Sequence, residues 1–132
     1  NIIWAKTFGG NDSDTGTSLE VDGTGNIVAA GHFAGTVDFD PDAGTFNLTA
    51  SGNSNVFVLQ LNSSGNFMSV NEIEVLSSYV NTTIVVDNQN NIYTTGSFPG
   101  NAYFEPGSCV FNVTALGQYD IFIHKMSDIT GI

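Results

Sequence analysis

The chain has 132 residues, 13 acidic against 2 basic side chains, and a formal net charge of −11. Two lysines, Lys6 and Lys125, cannot displace the counterions of a phosphate backbone, so nucleic acid is excluded as a partner and an anionic membrane surface is disfavoured. No apolar run of about 18 residues is present to insert into a bilayer as a helix, while 41% hydrophobic and 11% aromatic residues suffice for a packed core.

Asn, Ser and Thr number 15, 12 and 13, beside 15 Gly. This is the composition of turns and solvated strands, and helix formers are scarce, so the fold class expected is all-β. Cys109 is the single cysteine and precludes an internal disulfide; it reads as a small buried hydrophobe. The chain starts at Asn1 without a basic-then-apolar signal segment, as expected of a processed chain or a part of something longer.

An internal repeat organises the sequence. At an offset of 65, Val21–Leu61 overlies Val86–Met126 without a gap, and 15 of 41 positions are identical. The shared residues include Gly31/Gly96, Phe33/Phe98, Gly35/Gly100, Phe39/Phe104, Pro41/Pro106 and Phe57/Phe122. They set packing and turns and carry no reactive group. The repeat divides the chain into 1–65 and 66–132, each acidic: seven acids and Lys6 give −6, six acids and Lys125 give −5.

In chain order, Asn1–Phe8 matches Asn66–Ile73 and reads as a strand. Thr17–Val21 and its counterpart Thr83–Val86 are strands, followed by the turns Asp22–Gly25 and Asp87–Asn90, rich in residues that tolerate positive φ. Asn26–Phe33 and Asn91–Phe98 alternate as half-buried strands. After Gly35 or Gly100 come Thr36–Phe39 and Asn101–Phe104, stopped by proline, then Phe46–Thr49 and Phe111–Thr114. Val56–Leu61 and Ile121–Met126 close each repeat. The turn Asn62–Gly65 leads on into Asn66–Ile73, a hairpin partner, whereas Ile121–Met126 is followed only by a turn and Ile132. The unit is therefore circularly offset: its first strand is expected to complete a sheet of another copy.

The segments WAKTFGG (Trp4–Gly10), VDGTGNI within Leu19–Phe33, FAGTVDFDP (Phe33–Pro41) and NVFVLQLNSSGN (Asn55–Asn66) resemble the bacterial SBBP-type β-propeller repeat, in two tandem copies spanning essentially the whole chain. The second copy departs from it: Glu72-Ile73-Glu74-Val75 stands in place of Thr7-Phe8-Gly9-Gly10, and FEPG in place of FDPD. The resemblance implies four-stranded antiparallel blades, an extracellular or cell-surface protein, and no catalytic residues. Two blades do not close a ring, since propellers use about 4–8, so further copies are the expected partner, either as tandem repeats in the same polypeptide or as separate subunits, the latter joined by strand addition across a subunit boundary. A rotation that closes gives a ring, and one that does not gives a filament. The filament is the preferred expectation. A closed propeller binding glycans or proteins is the alternative.

Candidate sites are few. Asp12 and Asp14 precede Gly16 in an acidic loop, and Asp38, Asp40 and Asp42 alternate; either set is a candidate Ca²⁺ site or simply a solvated acidic turn. The second repeat has Tyr103, Glu105 and Gly107 at the latter positions. Sequons place candidate glycosylation at Asn11, Asn47, Asn62, Asn81 and Asn112, of which Asn47 and Asn112 are repeat equivalents. All four tyrosines, Tyr79, Tyr93, Tyr103 and Tyr119, fall in the second repeat, where they serve either as an inter-unit interface or as core filling. Trp4, Phe8, Phe122 and Met126 complete the expected inter-unit interface. His32 and His124 lack a second ligand at metal spacing, and no nucleophile elbow or phosphate loop occurs; an enzyme is not expected.

Overall fold

The computed structural model describes residues 1–75, 81–105 and 111–127. Among these, every regular element is a strand and every pairing is antiparallel. The first repeat contains β1 (Thr15–Val21), β2 (Ile27–Phe33), β3 (Thr36–Asp38), β4 (Asn47–Thr49) and β5 (Asn55–Leu61). Then follow β6 (Phe67–Val75), β7 (Thr82–Val86), β8 (Ile92–Phe98), β9 (Asn101–Tyr103), β10 (Asn112–Thr114) and β11 (Asp120–Met126). The expected strands are all present except one. Asn1–Phe8 forms no strand, and only Gly9 makes a bridge, to Asp38. A strand needs a neighbour for its backbone groups, and the described residues supply none to this segment. Pro106 and Cys109 lie outside the described residues.

Neighbouring strands β1, β2, β5 and β6 form a meander, with β3 and β4 paired as a separate hairpin. In the second repeat the corresponding sheet is β7, β8 and β11, one strand short. The far end of β6 leaves β5 and pairs with β9 through Glu74↔Tyr103 and Val75↔Ala102. Displaced by one repeat, the first of these pairs is Gly9↔Asp38, the bridge just described. The N-terminal segment thus stands to the β3–β4 hairpin as β6 stands to β9–β10.

Turn chemistry explains why the repeats fold alike. Asp22, Asn62 and Asp87 each accept backbone N–H groups two and four residues on, closing the same turn three times. Each turn needs one left-handed residue, supplied by Gly25 (φ 88°), Gly65 (φ 81°) and Asn90 (φ 62°). Asparagine is among the few side chains that tolerate that region. Burial pushes the Asp22 carboxyl up, but hydrogen bonds from Thr24 and Asn26 outweigh it and hold the group below its ordinary value. At Asp87, hydrogen bonds from Asn91 foremost act in the same direction.

Side chains alternate across each strand, so the first sheet has two faces. One carries Phe33, Phe57, Leu59 and Leu61, packed with Val37 and Phe39 from the hairpin and with Phe8. The rings of Phe33, Phe39, Phe57 and Phe8 lie 5.1–6.5 Å apart. The other face buries Val28, Ala30 and Val58 against Ile84 and Ile92 of the second sheet, while Val56 joins Ile73, Val75, Phe98 and Phe122. The second sheet therefore uses, for contact with the first, the face by which the first holds Phe8.

Candidate functional site: the inter-repeat interface and its two open faces

The contact between the sheets is periodic. Thr17 Oγ1 donates to the Thr82 carbonyl at 2.6 Å, and the hydroxyls of Ser18 and Thr83 lie 3.3 Å apart. Both links join residues one repeat apart. Ile84 N donates to Ser18 Oγ, and Gly23 N to Asn90 Oδ1. Equivalent residues thus stand side by side along β1 and β7, as they do where identical modules stack.

Such an interface leaves each end of the array uncovered. Val56 and Val58 are 0% and 1% exposed, but their equivalents Ile121 and Ile123 are 80% and 79% exposed. At the opposite end, Ile84 is 2% exposed and its equivalent Leu19 63%. The hydroxyl of Thr82 repeats this imbalance. Its equivalent, Thr17, bonds across the interface, whereas Thr82 Oγ1 is buried with no hydrogen-bond partner. The outer edge of β11, equivalent to the edge of β5 that pairs with β6, has no strand beside it among the described residues.

The residues expected at an inter-unit interface do not form one patch. Trp4 lies over the Gly65 turn of its own chain, and its Nε1 donates to the Ser63 carbonyl at 3.3 Å. Phe8 belongs to the first aromatic cluster, Phe122 is buried in the second, and Met126 packs against the interface between the sheets. Tyr93 lies in the strand beside β11, its hydroxyl on Asp87 and its ring centroid 5.2 Å from Lys125 Nζ. Tyr103 sits on β9, and Tyr119 is exposed in the loop before β11. Tyr79 lies outside the described residues. The exposed isoleucines Ile121 and Ile123 are not among the residues expected from sequence, although the repeat overlay with buried Val56 and Val58 carries the signal.

The aspartates are taken up by backbone. Asp14 accepts from Gly10 N and Ala34 N, Asp38 from Asp40 N and Phe46 N, and Asp40 from Asp42 N. Asp42 pairs with Lys6, and the Asp12 carboxyl lies beside Gly35. Among the described residues no group of three or more His, Cys, Asp or Glu is placed to hold a metal ion. Of the sequon asparagines, Asn11, Asn47, Asn81 and Asn112 are exposed, with Asn47 and Asn112 at the starts of β4 and β10. Asn62 is half-buried and holds its turn through its side-chain oxygen.

A buried and a half-buried polar group sit at repeat-equivalent edges. Asn55 donates to the Glu72 carboxylate and accepts from Val75 N. Burial pushes the Glu72 carboxyl up, against the hydrogen bond from Asn55, and Glu74 adds to the rise. On β11, burial holds His124 below its ordinary pKa while the charge of Glu105 pulls it up. The His124 ring stacks at 5.0 Å on Phe104, and its Nδ1 is buried without a partner.

A repeating all-β fold with a periodic interface is the class of protein these observations define. A WD repeat-containing protein of Acanthamoeba polyphaga mimivirus, itself uncharacterized, is 29% identical over 115 residues, covering 76% of this chain and 8% of that protein. No family model matches the sequence, and no solved structure matches it. The chain spans a small part of the relative's length, and the likeness supports a β-propeller-like repeat.

Proposed function

We propose that the chain is a structural repeat module: two propeller-type blades, at 1–65 and 66–132, that assemble with further copies into an extracellular or cell-surface filament by strand complementation. One observation carries this reading. The face that is 0–1% exposed at Val56 and Val58 is 79–80% exposed at Ile121 and Ile123. The same repeat thus makes a buried interface once and leaves it uncovered at the end. Covering a face of this kind is what repeat modules require for stability. The acidic charge of both repeats keeps separate copies soluble. Exposed Asn47 and Asn112, at equivalent positions, are the glycan acceptors assigned to such a surface protein. Negative-stain electron microscopy of the purified chain tests the reading: filaments are expected, and monomers or compact discs alone overturn it.

Likeness to a WD repeat-containing protein favours a second reading, in which several such units close into a propeller that binds glycans or proteins on its loop face. Discs with a central hole, rather than filaments, would select it.

A further inference from the structure

We infer that the cleft beside β11 is an acceptor site for residues Ile2–Phe8 of a second copy of this chain, in one antiparallel register. The inference rests on the assembly reading and adds the acceptor cleft and the register of the joining strand. The cleft measures about 270 Å³ and is lined by Phe104, Glu105, Phe111, Ile123, His124 and Lys125. Its repeat equivalent in the first sheet is filled, because β6 lies there.

The filled site supplies the register. β5 and β6 pair as Val56↔Ile73, Phe57↔Glu72, Val58↔Asn71, Leu59↔Val70 and Gln60↔Ser69, then shift by one at Leu61↔Phe67. Moved by one repeat along the chain, these become Ile121↔Phe8, Phe122↔Thr7, Ile123↔Lys6, His124↔Ala5, Lys125↔Trp4 and Met126↔Ile2. Two contacts made by β6 then have counterparts in the incoming strand, and a further residue of β11 becomes covered. Phe67 stacks on Phe46 at 5.1 Å, and the equivalent pair is Ile2 on exposed Phe111. Asn55 hydrogen-bonds Glu72, and the equivalent pair is Asp120 with Thr7, where the threonine hydroxyl donates to the carboxylate. Leu59, fully buried under β6, corresponds to His124, which the incoming strand would cover.

The donor segment is held ready for this role. Phe8 is anchored on Phe39 and Phe57, Lys6 on Asp42 and Trp4 on the Ser63 carbonyl. Ile2 and Ile3 remain exposed. These anchors lie on the face of the first sheet opposite the second sheet. The segment would have to leave them to reach β11 of its own chain, whereas a second copy presents its segment with the anchors intact.

Cysteine cross-linking tests the register. In a Cys109→Ser background, one chain variant carries Ala5→Cys with His124→Cys and another carries Lys6→Cys with Ile123→Cys. Opposed pairs alternate between closer and wider spacing, so at least one of the two is suited to a disulfide. Ala5→Cys with Ile121→Cys is the control displaced by three residues. Mild oxidation is expected to give covalent multimers from at least one matched variant and none from the control. Equal cross-linking of the control overturns the register. So does a matched bond formed within a monomer, or no bond in chains that electron microscopy shows to be assembled. Absence of assembly in the unmodified chain overturns the reading beneath it instead.

Discussion

Truncating Ile123 to alanine separates the stability of one chain from that of its junction with the next. Val58 and Ile123 hold the same place in the two repeats, but one is 1% exposed and the other 79%. Val58→Ala removes two carbons from a packed site, about 1.6 kcal/mol at 0.8 kcal/mol per buried methylene, and the cavity raises the loss to about 2–3 kcal/mol. Ile123→Ala removes three carbons from water-exposed surface, and surface changes of that kind alter monomer stability by about 0.5 kcal/mol or less. Once covered by a second copy, those three carbons contribute about 2.4 kcal/mol, or roughly a fifty-fold weakening of self-association on truncation. Urea unfolding at dilute concentration measures the first quantity and sedimentation equilibrium the second. Equal destabilisation of the monomer by both substitutions, or unchanged association of Ile123→Ala, refutes the reasoning.

Other outcomes follow from the same structure. Burial holds His124 below 6.5, so its neutral form is the one the fold accepts. Its contribution is complete above the unfolded value and is lost as pH falls from there through the folded value. Glu105 acts on the ring by its charge, Lys125 lines the same cleft with its ammonium over Tyr93, and Ala5, which brings no charge, would lie opposite His124 on the incoming strand. Sedimentation at about pH 7.5 and about pH 5 is expected to show weaker association at the lower pH, and His124→Leu, which copies Leu59, to reduce that dependence. Raising salt is expected to strengthen association, because both repeats are acidic and repulsion between copies is screened. Association that is independent of salt in light scattering would count against this. Gly31→Ala would bring a Cβ within 1.9 Å of the Thr15 carbonyl, so a loss of about 3 kcal/mol or more is expected in urea unfolding. Asn90→Val places a β-branched residue at φ 62° and is expected to cost about 1–2 kcal/mol, while Asn90→Gly keeps the turn and loses only the bond from Gly23 N, about 1 kcal/mol or less.

Strand positions were legible because two copies of the repeat constrain each other. Turn residues at Asp22, Asn62 and Asp87 and the alternation in Asn26–Phe33 placed ends within one or two residues of β1, β2, β5 and β8. The course of β6 was less legible. It runs on to Val75 and joins β9, a pairing that depends on where the hairpin comes to rest and not on local pattern. Asn1–Phe8 has the pattern of a strand but no neighbour to pair with among the described residues. The spacing of Asp38, Asp40 and Asp42 is open to a cation site or to a solvated acidic turn, because short carboxylates also accept from nearby backbone amides, as Asp38 and Asp40 do in this loop. Tyr93, Tyr103 and Tyr119 lie on β8, on β9 and in the loop before β11, and their shared place in the second repeat does not say which face of a strand is covered. The comparison of buried Val56 and Val58 with exposed Ile121 and Ile123 does say so.

Hydrogen–deuterium exchange across a concentration series tests most directly whether the open faces are the ones that copies cover. The account predicts that the amides of Ile121–Met126 that face away from β8, and those of Ile2–Phe8, exchange freely in dilute chain and become protected together as the chain assembles. Assembly with both segments still exchanging freely, or with protection confined to other strands, would contradict it.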